Sequence, residues 1–286
     1  MTALEFRQVD VFGSAPYTGN PVAVVLGADG LTTEQMARIS AWTNLSECTF
    51  VLPPTTPEAD YRVRIFSLRT ELPFAGHPTL GTARAWLDAG GAPSPDREPG
   101  TVVQECGVGL VPIRTDGDAL AFAAPARRRS GPVVPAELER ACAIAGVNPG
   151  DVIDAAWVDN GPGWIGLLLR DADAVLALEP ALHVYPGFVA VGAAGLYGAG
   201  GPDGIDVEVR ALFNVEDGPL REDPITGSLN ASLAQWLTET GRLATPYVAR
   251  QGTAIGRDGR VGVTEADGAL WIGGRAHVAV TGTIDA

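Results

Sequence analysis

A chain of 286 residues with 46% hydrophobic content exceeds the roughly 100–200 residues of a common domain, and it carries enough apolar material for two cores. Its formal net charge of −14 argues against the basic surface that nucleic acid or an anionic membrane would require, so neither is expected as a partner. No apolar run reaches the ~20 residues of a membrane span, and the opening MTALEFRQVDVFG lacks the basic-then-apolar order of a signal peptide. A cytoplasmic protein is expected.

Along the first half, EFRQVDVF, NPVAVVL, CTFVLP, YRVRIF and GVGLVPI are short β-rich runs bounded by glycine and proline, and they read as strands. Between the second and third, TTEQMARISAW predicts a surface helix, with Thr32 and Gln35 spaced as a capping box. The stretch PFAGHPTLGTARAWL, residues 73–87, predicts a second and more apolar helix that stops at Gly90. Its few charges point to burial on most sides. Short of the midpoint, Arg127, Arg128 and Arg129 read as a solvated linker face, with the joint between halves near residues 123–132. RRRSGPVVPAELERACAIAG then predicts a counterpart of the first surface helix. WIGLLLR, FVAVGA, DVEVRALF, GRVGV and ALWIGG supply the strands of the second half.

Within that second half, REDPITGSLNASLAQWL repeats the pattern X-Pro-x-x-Gly-[Thr/Ser] found in the first. The alignment sets His77 against Asp223, Pro78 against Pro224, Gly81 against Gly227 and Thr82 against Ser228, at a separation of 146 residues, and Val63 and Val209 keep the same separation upstream. A period of half the chain indicates duplication. Each turn is expected to open a helix, with Pro78 and Pro224 near the first helical position and His77 and Asp223 as caps. The pattern predicts two α+β domains, each wrapping a sheet around one buried helix.

A helix start offers unpaired N–H groups and the positive end of a dipole, which suits a small carboxylate. If two equivalent domains point their helix starts into one cleft, the duplication makes two half-sites. Glu47, in NLSECTF, stands at the head of an apolar strand, and partial burial raises a carboxyl's hold on its proton, as a general acid/base needs. From position alone, Glu47 reads first as an ordinary edge residue and Asp223 as an ordinary cap, while His77 fits a cap as well as a catalytic role. Ser228 with His77 and Asp223 invites a hydrolase reading, but the GxSxG elbow is missing. Cys48, Cys106 and Cys142 are too few and scattered for a disulfide framework or a zinc site, and His77, His183 and His277 stand far apart, so no metal is expected.

Taken together and in this order, NPVAVVL, NLSECTF, PFAGHPTLGTA, EDPITGS and QGTAIGR resemble the PhzF-like phenazine-biosynthesis isomerase family over nearly the whole chain. The resemblance implies a diaminopimelate epimerase-like α+β fold: two pseudo-symmetric domains, each a mainly antiparallel barrel-like sheet around a central helix. The domains are expected at residues 1–124 and 125–286, with the final HVAVTGTIDA crossing back to the first. The resemblance also implies cofactor-independent isomerisation, of the trans-2,3-dihydro-3-hydroxyanthranilate type, in a dimer. In that reading Glu47 is the acid/base, while His77, Asp223 and Ser228 bind and polarise a small carboxylate substrate, with backbone donors from Gly76 and Gly227. Other outcomes stay open: an unsaturated proline precursor as substrate, a racemase or epimerase using the same groups, or a binding protein without catalysis. A two-cysteine racemase is disfavoured, since neither GHPTLGTA nor DPITGSLNA contains a cysteine. LRT before ELPFAGHP, and ITGSLNAS where ATGSA is common, depart from the family pattern and put the substrate in question.

Overall fold

Tyr61, Val63 and Ile65 are buried while Arg62 and Arg64 are not, the period of two that makes a half-buried strand. Such strands dominate the computed structural model, which describes residues 2–198, 201–214 and 218–286. The chain divides into two units, Met1–Ala123 with Gly273–Ala286, and Ala124–Ile272. The divisions fall between residues 123 and 124 and between residues 272 and 273.

The first unit contains β1 (Ala3–Val11), β2 (Asn20–Val25), α1 (Thr33–Thr43), β3 (Glu47–Leu52), β4 (Tyr61–Ser67), β5 (Thr70–Leu72), α2 (Gly76–Asp88), β6 (Thr101–Cys106), β7 (Gly109–Asp116) and β8 (Ala119–Ala123). Pairings run β1–β2, β2–β3, β3–β4, β4–β6, β6–β7 and β7–β8. The last part of the final strand closes the ring against both β8 and β1. α2 runs inside, touching β1, β2, β3, β6 and β8. It comes so near the wall that a Cβ on Gly81 would lie 2.3 Å from Val22 Cγ1.

The second unit contains β9 (Arg129–Pro132), α3 (Pro135–Ala145), β10 (Val152–Asp159), β11 (Ile165–Leu169), α4 (Ala172–Leu176), β12 (Ala190–Leu196), β13 (Val207–Phe213), β14 (Arg221–Asp223), α5 (Gly227–Glu239), β15 (Tyr247–Gln251), β16 (Gly259–Ala266) and the start of β17 (Ala269–Asp285). The pairing order repeats. β10–β11 is antiparallel, β11–β12 parallel, β12–β13 antiparallel, β13–β15 parallel and β15–β16 antiparallel, as β1–β2, β2–β3, β3–β4, β4–β6 and β6–β7 are in the first unit. Each unit is therefore a mainly antiparallel sheet with a helix carrying its second parallel crossover, α2 in one and α5 in the other.

Three expectations from the sequence need correction. The counterpart of α1, which joins the first parallel pair, is the short α4 and not α3, which precedes β10. The repeat also changes register within each half. β4 and β13 do stand 146 residues apart (61 and 207), but α2 and α5 begin at Gly76 and Gly227, 151 apart. The cause is the connection from β13 to β14, residues 214–220, which is longer than residues 68–69 between β4 and β5. Pro73 therefore matches Pro224, Gly76 matches Gly227, and His77 matches Ser228, each the second residue of its helix. Pro78 and Gly81 have no such partners, and neither His77 nor Asp223 is a cap: the N-caps are Ala75 and Thr226.

Candidate active site

In the first unit, α1 ends on Asn44 in the left-handed conformation (φ 57°), which turns the chain sharply toward β3. Glu47 opens that strand, pairs in parallel register with Val22, and keeps its side chain 15% exposed. The next residue, Cys48, points to the opposite face and joins a core of Met36, Phe50 and Phe66. Strand alternation thus separates the carboxylate from the thiol.

His77 lies in the first turn of α2, buried, with Nε2 3.3 Å from Glu47 Oε2. Its other ring nitrogen, Nδ1, lies 3.4 Å from the Asn20 carboxamide nitrogen at the start of β2. Glu47 would favour an imidazolium and burial opposes it; burial prevails and pulls the His77 pKa down to about 3. The ring is neutral at physiological pH. Ala75 gives no side-chain cap, the first main-chain bond of the helix runs from Thr79 N–H to Ala75 O (3.1 Å), and Pro78 has no N–H. The N–H groups of Gly76 and His77 are left without intrahelical partners. Beneath them the buried Gln104 donates to Thr79 Oγ1 (3.0 Å) and accepts from the Tyr61 hydroxyl (3.2 Å), which braces the helix start.

In the second unit, Asp223 closes β14 and is 7% exposed. Its Oδ2 accepts from the Thr226 hydroxyl at 2.5 Å, so the N-cap side chain of α5 is spent on the aspartate and not on the helix. Gln251, fully buried at the end of β15, ties the turn together. Its nitrogen donates to Asp223 O and Thr226 Oγ1, both at 3.0 Å, and its oxygen accepts from Thr226 N–H (3.0 Å) and the Asn230 amide (2.8 Å). Ser228 occupies the place that His77 holds in α2. Trp164 Nε1 donates to its Oγ at 3.1 Å, and the Asn160 amide donates to its carbonyl at 2.8 Å. Both come from the loop between β10 and β11, which Asp159 Oδ1 shapes by accepting from Gly161 N–H (2.7 Å) and Gly163 N–H (2.6 Å).

Glu47, His77 and Gly76 are thus gathered within the first unit, and Asp223, Gly227 and Ser228 within the second. Asn20, Trp164, Asn160 and Gln251 were not singled out by sequence reasoning. Asn20 and Gln251 sit in NPVAVVL and QGTAIGR, where only the recurrence of an amide beside a turn could have drawn attention. Burial pushes the Cys48 thiol up to about 12 and also raises that of Cys106, so neither holds a thiolate near neutrality. Among the described residues no helix is long and apolar enough to cross a membrane, and no group of three or more His, Cys, Asp or Glu could hold a metal ion.

The sequence model of the family described as phenazine biosynthesis-like protein matches residues 9–283. Antisense-enhancing sequence 1 of Schizosaccharomyces pombe is 32% identical over 301 aligned positions, covering 99% of each chain. The trans-2,3-dihydro-3-hydroxyanthranilate isomerase of Pseudomonas aeruginosa is 38% identical over 177, covering 60% of this chain and 59% of the other. Among solved structures, a phenazine biosynthesis protein of the PhzF family from Bacillus anthracis superposes with a TM-score of 0.80 over 100% of both chains. At 22% identity that likeness shows the fold.

Proposed function

Because this chain belongs to the phenazine biosynthesis-like family, as an isomerase of it, we propose that it moves a double bond in a small unsaturated amino or hydroxy carboxylic acid by shuttling a proton on Glu47. The observation that carries this reading is the 3.3 Å approach of Glu47 Oε2 to His77 Nε2, at a helix start whose Gly76 and His77 N–H groups are available to an oxyanion. Glu47 removes a proton from the carbon next to the unsaturated system: the C–H bond breaks, an O–H bond forms on the carboxylate, and the electron pair enters the π system. The same carboxyl then returns the proton to another carbon of that system and is regenerated. His77 and the helix N–H groups stabilise the charge that develops between the two steps. Asp223 and Ser228 are proposed as substrate contacts, one accepting and the other donating, with Gly227 N–H beside them.

A substrate of the trans-2,3-dihydro-3-hydroxyanthranilate type is favoured by the name of the P. aeruginosa relative. The test is deuterium incorporation in D2O, followed by mass spectrometry, with wild-type protein and Glu47→Gln. Turnover with label gained by the wild type and abolished in the variant supports the shuttle. Full activity in the variant sinks it, and an inert wild type moves the substrate elsewhere. The thiol route of a two-cysteine racemase finds no support in Cys48, which is fully buried in the core with a raised pKa.

A further inference from the structure

The contact behind His77 decides which way its hydrogen bonds run. Asn20 begins β2 opposite Val11 in the β1 register and is fully buried. It cannot shift, because the preceding turn is closed on itself. Gly19 N–H donates to the buried Asp10 Oδ2 at 3.1 Å. A Cβ on Gly19 would meet Val11 O at 2.3 Å, and one on Gly13 would meet Asp10 Oδ2 at 2.7 Å. This tight turn aims the carboxamide nitrogen at His77 Nδ1, 3.4 Å away. A carboxamide nitrogen has two hydrogens and no lone pair to offer, so a bond at this contact runs from Asn20 to the ring.

We propose that Asn20 is a positioning residue: it donates to His77 Nδ1 and so fixes the ring proton on Nε2, the nitrogen 3.3 Å from Glu47 Oε2. This deepens the reaction proposed above and rests on it for its consequence. A proton held on Nε2, 3.3 Å from Glu47 Oε2, leaves Glu47 to accept a proton from the substrate first and to return one second. The opposite tautomer would present a bare Nε2 lone pair, which favours a protonated Glu47 that must act first as an acid. One amide, remote from the reacting carbon, therefore sets the order of the two proton transfers.

The experiment is a long-range 1H–15N correlation spectrum of histidine-labelled protein at pH 7. The three histidines, His77, His183 and His277, are told apart by the loss of one set of signals in His77→Gln. Wild type is expected to show Nε2 protonated and Nδ1 bare. Asn20→Asp keeps the side-chain shape but replaces the donor with an acceptor, and it is expected to reverse the pattern to Nδ1–H. In that variant the isomerisation rate, kcat, should fall about 10-fold or more with little change in KM. A wild-type spectrum with Nδ1–H, or with the two tautomers mixed, overturns the proposal, as does an Asn20→Asp spectrum unchanged from wild type. If Asn20→Asp does not fold, the wild-type spectrum decides alone. Because the spectrum needs no substrate, the two ideas fail separately. Nε2–H together with exchange as full in Glu47→Gln as in the wild type refutes the shuttle and keeps the role of Asn20; exchange abolished in Glu47→Gln together with Nδ1–H in the wild type does the reverse.

Discussion

An indole N–H can only donate, and that of Trp164 lies 3.1 Å from Ser228 Oγ, so the serine hydroxyl has its own proton to offer elsewhere. Removing the donor while keeping an aromatic ring, as in Trp164→Phe, should lower stability by about 1 kcal/mol. In a cycle with Ser228→Ala, measured by urea unfolding, the two losses should fall short of additivity by a similar amount; strict additivity would deny the bond. A neutral buried histidine makes a pH-dependent prediction as well. With its folded pKa near 3 and an unfolded value of about 6.5, His77 refuses a proton that the unfolded chain binds. No penalty exists above the unfolded value, and one grows as pH falls from about 6.5 toward 3, by about 1.4 kcal/mol per pH unit. Between pH 7 and pH 5 the wild type should lose about 2 kcal/mol that His77→Gln does not lose, and parallel unfolding curves for the two proteins would contradict it. Cys48, fully buried with its thiol at about 12, should stay unmodified by iodoacetamide at pH 8 in the native protein, as peptide mass mapping would report. The site was only partly legible at this scale. Glu47, His77, Asp223 and Ser228 were singled out by the family resemblance of short motifs, since position alone left them as ordinary edge or cap residues. Asn20 and Trp164 act on residues 57 and 64 positions away, and no local pattern encodes such a meeting.

Each central helix reaches its sheet through glycine, and this decides where its first turn sits. Gly81 faces β2 and β1 so closely that a methyl group would lie 2.3 Å from Val22 Cγ1 and 3.1 Å from Val11 Cγ2. In the second unit the glycines are on the wall instead, since a Cβ on Gly192 of β12 would stand 2.4 Å from Leu229 Cδ1. Gly81→Ala should therefore destabilise by about 1–3 kcal/mol through overpacking, although alanine is the better helix former by about 1 kcal/mol. Adding Val22→Ala should recover part of that loss, and a double variant as weak as the sum of the singles in urea would show that the clash is not the cause. Helices and strands were readable in the sequence because glycine, proline and two-residue alternation mark them locally. Their equivalence was misread by five residues, for a reason the elements explain. Proline and glycine recur in both turns often enough to match Pro78 and Gly81 with Pro224 and Gly227, whereas the longer connection between β13 and β14 moves the true match to Pro73 and Gly76. Pairing fixes the register that spacing alone left ambiguous: Leu72 stands opposite Ile65 and Asp223 opposite Ala211, each three residues before its helix cap.

The pairing order of the first unit recurs in the second, and the two differ in how each ring is flanked. β17 is 17 residues long, and the part beyond Ile272 belongs to the first unit. There it completes the ring, with Val278 opposite Val9 and Val280 opposite Gln8 on β1, and with Ala276 N–H donating to Asp118 O at 3.0 Å on the β8 side. The corresponding partner of β10 is β9, which precedes it in the chain. The second unit thus takes its flanking strand from its own beginning, while the first waits for the last residues of the polypeptide. Duplication was legible from the halved period, but this unequal closure depends on pairings separated by nearly the full sequence. Such pairings carry the entropy of closing a long loop, which no local pattern in the sequence signals. Deleting Gly273–Ala286 should therefore expose the β1 edge and the fully buried Val9 and Val11 beside it. In hydrogen–deuterium exchange the amides of β1, β2 and β8 should lose protection together, while those of β12 and β13 hold theirs. Adding the missing segment back as a separate peptide should restore protection to β1 in proportion to peptide concentration, as binding to the native form requires. Unchanged protection of β1 in the shortened chain would mean that the first ring closes without its last strand.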